Sequence, residues 1–294
     1  MYEQIEANKR KTILLLAFFL IFAGAMLYFL SMAFGFGLSG FGVMGILLII
    51  YALISYKFSA QIVLKISHAK EAPREKFTFL HNVVEGLAIA AGIPKPKLYV
   101  IEDTALNAFA TGNSPENSVI VVTTGLLDKM NRLELEGVIA HEMSHIKNYD
   151  IRVMTLTVLL VGVISLVSDV ILRAFFWGRH DREMNRATLV FLIVGIIFAI
   201  FAPLIAQLIK LAVSRTREFL ADADGAMLTR YPEGLASALE KISKDKEPLE
   251  AANKATAHLY IENPLKNYSG FVDRMFSTHP PIKERIGILR GMGK

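Results

Sequence analysis

Hydrophobic and polar positions along this chain are gathered into blocks. From position 12 to position 56 no residue is charged, whereas one helix needs about 20 residues to cross roughly 30 Å of hydrocarbon. A single straight helix would overshoot, so the run is expected to fold back on itself. The glycines of GFGLSG at 35–40 supply the place to turn, which gives two spans, 12–34 and 38–56. A second uncharged run covers 187–209, with Pro203 as a kink. A fourth candidate, 153–172, is less clean. It is uncharged through Ser168, but Asp169 and Arg173 follow, which can pair with each other or reach for the headgroups. For that segment a buried helix of a soluble domain is the alternative.

The two polar blocks carry shorter periods. EKFTFLHNVVEGLAIAAGI has helical spacing and stops at Gly92 and Pro94. PKLYVIED, LNAFATG and SVIVVTT are rich in β-branched and aromatic residues and are expected as strands, with TGNSPENS as a turn-rich link. A helix follows from about Arg132 through Asn148. Three more are expected in SRTREFLADADGAML, YPEGLASALEKISKDK and HPPIKERIGILR. Each block alone is short of core. The expected organisation is therefore a transmembrane hairpin at 1–56, one domain assembled from 57–152 and 211–294, and a second hairpin at 153–210 interrupting it.

Composition agrees with a chain partly in membrane: 53% apolar residues and a mean hydropathy of +0.42. There is no cysteine, so neither disulfides nor thiolate ligands are available. The N-terminal run is too long for a signal peptide and lacks a small-residue cleavage site, so it reads as an anchor. Formal net charge is +5. Lys9, Arg10 and Lys11 precede the first span, and Lys57, Lys65, Lys70, Arg74 and Lys76 follow the second, which predicts that both flanks face the cytoplasm. No RNA-binding motif accompanies these charges, so the expected partner is the lipid bilayer and not nucleic acid.

The chemistry is concentrated in HEMSH. On a helix, His141 and His145 lie one turn apart on one face, where both imidazoles can bind one ion. Leu135, Val138, Ile139 and Ile146 form an apolar stripe that contains Glu142. A carboxylate there is costly unless something satisfies it. A zinc-bound water would do so, with Glu142 accepting its proton. A catalytic zinc wants three protein ligands and one open position. The extended H-E-x-x-H-x-x-G-x-x-H pattern is absent, because Asn148 and Ile151 stand at its glycine and last histidine. The best third ligand is Glu218, with Asp222 one turn on as the acceptor for a ligating histidine's free ring N–H. A solvated acidic face, or an Arg215–Glu218 pair, explains the same spacing equally well. If His141 and Glu218 share an ion, the chain between them crosses the membrane an even number of times, so 153–172 and 187–209 both span or neither does. Arg179, Arg182 and Arg186 in the loop between them strain the charge rule.

With HEMSH, REFLADADG and THPPIKERI together, the chain resembles the HtpX family of membrane-bound zinc endopeptidases, which is related to the CAAX prenyl proteases and more distantly to thermolysin-like enzymes. The resemblance covers nearly the whole chain, in family order. It implies an α-helical membrane protein with an α+β zincin-like (gluzincin) catalytic domain, mostly helical with a small sheet. It also implies one Zn2+ per chain on His141, His145 and Glu218, with Glu142 as base. Asn107, Ala108 and Phe109 match the N-A-F of an edge strand to which an extended substrate adds; an ordinary strand end with Phe109 in the core is the alternative. His279 resembles a histidine that stabilises the oxyanion, although a lone histidine is more often a cap or surface residue. The implied role is quality control in stress: degrading damaged or misassembled membrane proteins at the cytoplasmic face of the cell membrane. Two other functions compete, a CAAX-type prenyl-peptide protease and a non-catalytic zinc-binding chaperone or scaffold. The first calls for a larger membrane chamber than four spans readily build. The second calls for a closed four-ligand site. His68, His81, His180 and His258 have no chemical company and are expected to be structural or surface residues.

Overall fold

The computed structural model describes residues 2–33, 35–160, 215–252, 256–262, 264 and 280–292. The chain opens with two long helices, α1 (Tyr2–Ala33) and α2 (Gly37–Lys57). They are joined at Gly35 and Gly37, whose φ values of 78° and 63° favour glycine. The Ser31 hydroxyl donates to the Gly37 carbonyl at 2.7 Å, and Tyr28 meets Phe41 edge-on, so the two helices run back along each other. Both contain a stretch long and apolar enough to cross a membrane, Ile5–Tyr28 and Gly37–Lys57. Ile13, Leu14, Ile21, Leu38, Val43, Ile46, Leu47 and Leu53 all point outward. Such a continuous apolar surface is foreign to a water-facing helix pair.

A short helix α3 (Ser59–Ile66) leads into the first polar block. There β1 (Lys70–Glu71), α4 (Thr78–Ala91), β2 (Lys97–Ile101), β3 (Ala108–Gly112) and β4 (Ser118–Thr123) follow in turn. α4 ends where expected, with Gly92 in the left-handed region at φ 68°. The four strands form one sheet in the order β1-β2-β4-β3. It is mixed: β2 pairs parallel with β4, while β1 and β3 pair antiparallel with their neighbours. β3 is thus an edge strand.

After α5 (Thr124–Lys129) comes α6 (Arg132–Lys147), begun by a capping box in which Asn131 and Glu134 satisfy each other's backbone N–H groups. From the second polar block, α7 (Arg215–Thr229) and α8 (Pro232–Lys244) pack against α6, and α9 (Ile282–Met292) packs on α7 and α8. One apolar core draws Val84, Ile120, Leu135 and Met143 from the first block and Ala226, Leu239 and Leu289 from the second. α6 departs from the expected amphipathic helix: it is buried on nearly every side from Glu134 to Ile146. Its polar residues face partners inside the protein instead of water.

Residues 150–160 are also helical. Leu156 and Leu160 share an apolar cluster with Leu15 and Phe19 of α1, so this helix enters alongside the first hairpin. The remainder of the expected spans 153–172 and 187–209 lies outside the described residues, as do His180 and His279.

Candidate metal centre

α6 places His141 and His145 one turn apart, and both are buried. Their Nε2 atoms are 3.2 Å from each other. α7 brings Glu218 to the same point: its carboxylate oxygens lie 3.5 Å from His145 Nε2 and 3.8 Å from His141 Nε2. The three ligand atoms fall within 4.8 Å of one another. This approach depends on Gly225, one face of α7 with Glu218 and Asp222, since a Cβ there would meet the His141 backbone nitrogen at 3.1 Å.

The outer ring nitrogens are held as well. His141 Nδ1 is 2.9 Å from Asp222 Oδ1, and His145 Nδ1 is 3.0 Å from Asp150 Oδ2. Each carboxylate fixes the tautomer that carries its proton on Nδ1. The two Nε2 lone pairs then point at each other and at a carboxylate, an arrangement that repels unless a cation sits among them. Ligands about 2.0–2.1 Å from a tetrahedral zinc are about 3.3 Å apart, so the observed separations fit that ion. Two imidazole nitrogens and one carboxylate are also the donor types that zinc takes.

The electrostatics of the metal-free cluster agree. Burial depresses the His141 imidazole more than the Asp222 hydrogen bond raises it. Burial opposes the charged form of His145 too, but the Asp150 hydrogen bond and the charges of Glu218, Asp150 and Glu142 outweigh it and push it up to about 9. In the metal-free protein a proton on His145 therefore does the cation's job. Burial, and then the Glu218 charge, push the Glu142 carboxyl up to about 7, against the pull of His145 and of the Ala110 N–H that it accepts from β3. Glu142 thus bridges the metal helix and the edge strand.

Several further residues complete the site. Arg285 of α9 is fully buried and donates in a bidentate pair to Asp222, at 2.8 and 2.7 Å, with its Nη1 3.5 Å from Glu218. Arg217 makes a similar pair to Asp150 at 2.8 and 2.6 Å. Burial works against both carboxylates, but these partners and the histidines hold them below the usual carboxylate range. Asp224 accepts from Ser144 and Asn148, a second tie between α6 and α7. Arg285 had a sequence signal, because it stands on the apolar stripe of Ile282, Ile286 and Leu289. Asp150 had a weaker one, an acid five positions after His145. Their partners, the Asp222 carboxylate for Arg285 and the Arg217 guanidinium for Asp150, come from residues far along the chain.

Between His145 and Asp150 the chain turns sharply. Tyr149 has φ 60°, a conformation that costs a non-glycine residue about 1–2 kcal/mol. Asn8 of α1 holds this turn, its amide donating to the Asn148 carbonyl at 2.8 Å and to Asp150 Oδ1 at 2.6 Å.

Asn107, Ala108 and Phe109 are placed beside the site, on and just before β3, but they do not present an open edge. The Ile261 N–H donates to the Ala108 carbonyl at 3.1 Å. The Asn107 amide donates to the Glu262 carbonyl at 3.2 Å, and Phe109 is buried edge-on against Tyr260, 4.9 Å between ring centroids. Residues 260–262 cover the edge because Phe109 and Tyr260 bury each other and the Ile261 N–H pairs with the Ala108 carbonyl. Among the other histidines, His81 contacts the Ala72 carbonyl and His258 the Met154 carbonyl, while His68 is exposed.

Comparison with known proteins adds the following. The model of peptidase family M48 matches residues 74–292. A protein named protease HtpX homolog from Dictyoglomus thermophilum is 52% identical over 100% of this chain and 95% of its own length. The one from Thermoanaerobacter pseudethanolicus is 46% identical over 99% of this chain and 98% of its own. That from Listeria monocytogenes serotype 4a is 43% identical over 99% and 100%. The crystal structure of S. mikatae Ste24p is similar with a TM-score of 0.54, at 19% identity over 97% of this chain and 66% of that one, a likeness of fold.

Proposed function

This chain belongs to peptidase family M48 and is a metalloprotease, and on that premise we propose a membrane-anchored, zinc-dependent endopeptidase. Its substrates are misfolded or damaged membrane proteins, cut at the cytoplasmic face. The observation that carries this is the convergence of two carboxylate-held imidazoles and Glu218 on one buried point. In this proposal His141, His145 and Glu218 hold one Zn2+, and Asp222 orients His141. When bound, zinc would supply Lewis-acid chemistry, lowering the pKa of a water held there. Glu142 takes that water's proton and delivers it to the leaving amine. A carboxylate buried beside the two imidazoles can both take and return a proton there. His279 would donate to the oxyanion, as the family resemblance implies.

The catalytic domain is zincin-like, built from 57–152 and 211–294, with 1–56 and 153–210 as membrane hairpins. Support for the cytoplasmic face comes from two ends of the first hairpin. Asn8, just ahead of the uncharged run, touches Asp150, and Arg152 lies over the ring of Tyr56 at the far end of α2. These contacts support a reading in which both ends and the metal cluster lie on one side of the bilayer, the side that carries the basic flanks. Substrate would add to β3 through Asn107, Ala108 and Phe109, taking the place of residues 260–262.

The test is Glu142→Gln in the full-length protein. It is expected to keep one zinc per chain while cleavage of an unfolded membrane-associated substrate falls by about 10²–10⁴-fold. Equal cleavage by both proteins would refute the base assignment.

A further inference from the structure

We infer that the first membrane helix is part of the metal site, and that Asn8 is a positioning residue for His145, acting through Asp150. Asn8 is buried, although it belongs to a helix whose neighbours at 9, 10 and 11 are basic and solvent-facing or partly so. Its amide donates both of its hydrogens to the 148–150 turn, one to the Asn148 carbonyl and one to Asp150 Oδ1. The other oxygen of Asp150 receives the His145 ring. The neighbouring Lys9 ammonium lies 5.1 Å from the centre of the Tyr149 ring, at the one residue of the turn with positive φ. The same helix thus grips three consecutive residues, and the last of them aims a histidine.

An anchor alone needs none of this. Asp150 is already paired with Arg217 on α7, so charge balance does not require Asn8 either. What Asn8 adds is a second hold, from a different helix. Arg217 donates to both oxygens of the carboxylate, the Asn8 amide gives Oδ1 a further donor, and Oδ2, shared with Arg217, faces His145 Nδ1. Partners of this kind, one step removed from the ion, change metal affinity by about 10–100-fold when lost. Asn8 is one step further out, so the low end applies.

The inference rests on His145 being a metal ligand, and its test separates the two claims. Zinc affinity is measured by competition with a graded chelator on the full-length protein, alongside the visible absorption spectrum of the cobalt(II)-substituted form. Asn8→Leu keeps the size and burial of the side chain. Thr12→Val removes a hydroxyl one turn along the same helix that donates to the Asn8 carbonyl, its hydrogen bond among the described residues. Expected is about tenfold weaker zinc binding and a shifted cobalt spectrum for Asn8→Leu, with Thr12→Val like the parent. Parent-like affinity and spectrum for Asn8→Leu would overturn the inference while leaving the metal site intact. Equal losses in both variants would overturn it too, by showing a general loosening of the helix. A parent protein that binds no zinc would sink the underlying metal assignment instead.

Discussion

His145 is where the chemistry and the electrostatics of this protein meet. Its ring is held by Asp150 and faces Glu218, and the result is an imidazole pushed up to about 9 in the metal-free protein. A folded-state value above the ordinary one means that the proton stabilises the metal-free fold fully below about pH 6.5. That contribution is lost as pH rises through about 9. Zinc has to displace the same proton, so apparent zinc affinity is expected to rise roughly tenfold per pH unit between pH 7 and 9, then level off. Calorimetry in buffers of different ionisation enthalpy should find about one proton released per zinc near pH 7.5. A pH-independent affinity without proton release would contradict the assignment. Of the residues that meet here, His141, Glu142 and His145 were legible from spacing and residue type, whereas Glu218 and Asp222 stood level with a solvated acidic face on spacing alone and the family resemblance singled out Glu218. Arg285 and Asp150 left only weak signals, and Arg217 and Asn8 none, because their roles arise from contacts such as Asn8 with Asp150, 142 positions apart. No local pattern carries such a pairing.

At the level of elements, most helices and the three longer strands follow from hydrophobic period and stop signals, as Gly92 illustrates at the end of α4. The surroundings of α6 did not. A helix with histidines, a serine and glutamates along its length reads as half solvated, yet α4, α7, α8 and the sheet enclose it. Close approach explains this: a Cβ at Gly137 would meet the Leu235 backbone nitrogen at 2.5 Å, as Gly225 likewise admits α7. The state of β3 was also hidden, since an edge strand by topology is covered here by residues 260–262. If substrate takes their place, weakening the cover should help it. Ile261→Pro deletes the N–H that Ala108 accepts, and KM for an extended peptide is expected to fall about two- to tenfold. A raised KM would show that the segment is part of the binding surface and that substrate runs elsewhere.

For the whole molecule, the organising fact is that distant stretches of chain meet at one buried point. The first hairpin turns at Gly35–Gly37 and brings its two ends to residues 148–152, just beyond the metal helix. Residues 150–160 leave the cluster alongside that hairpin, and α7 comes back to it with Glu218. The candidate membrane helix α1 thus reaches the candidate metal site through Asn8 and Asp150. The most direct test is zinc-edge X-ray absorption on the full-length, zinc-loaded protein. Two imidazole rings and carboxylate oxygen at about 2.0–2.2 Å are expected, with one ring remaining in His145→Ala. A spectrum showing a single imidazole in the parent, or two in the variant, would contradict the account.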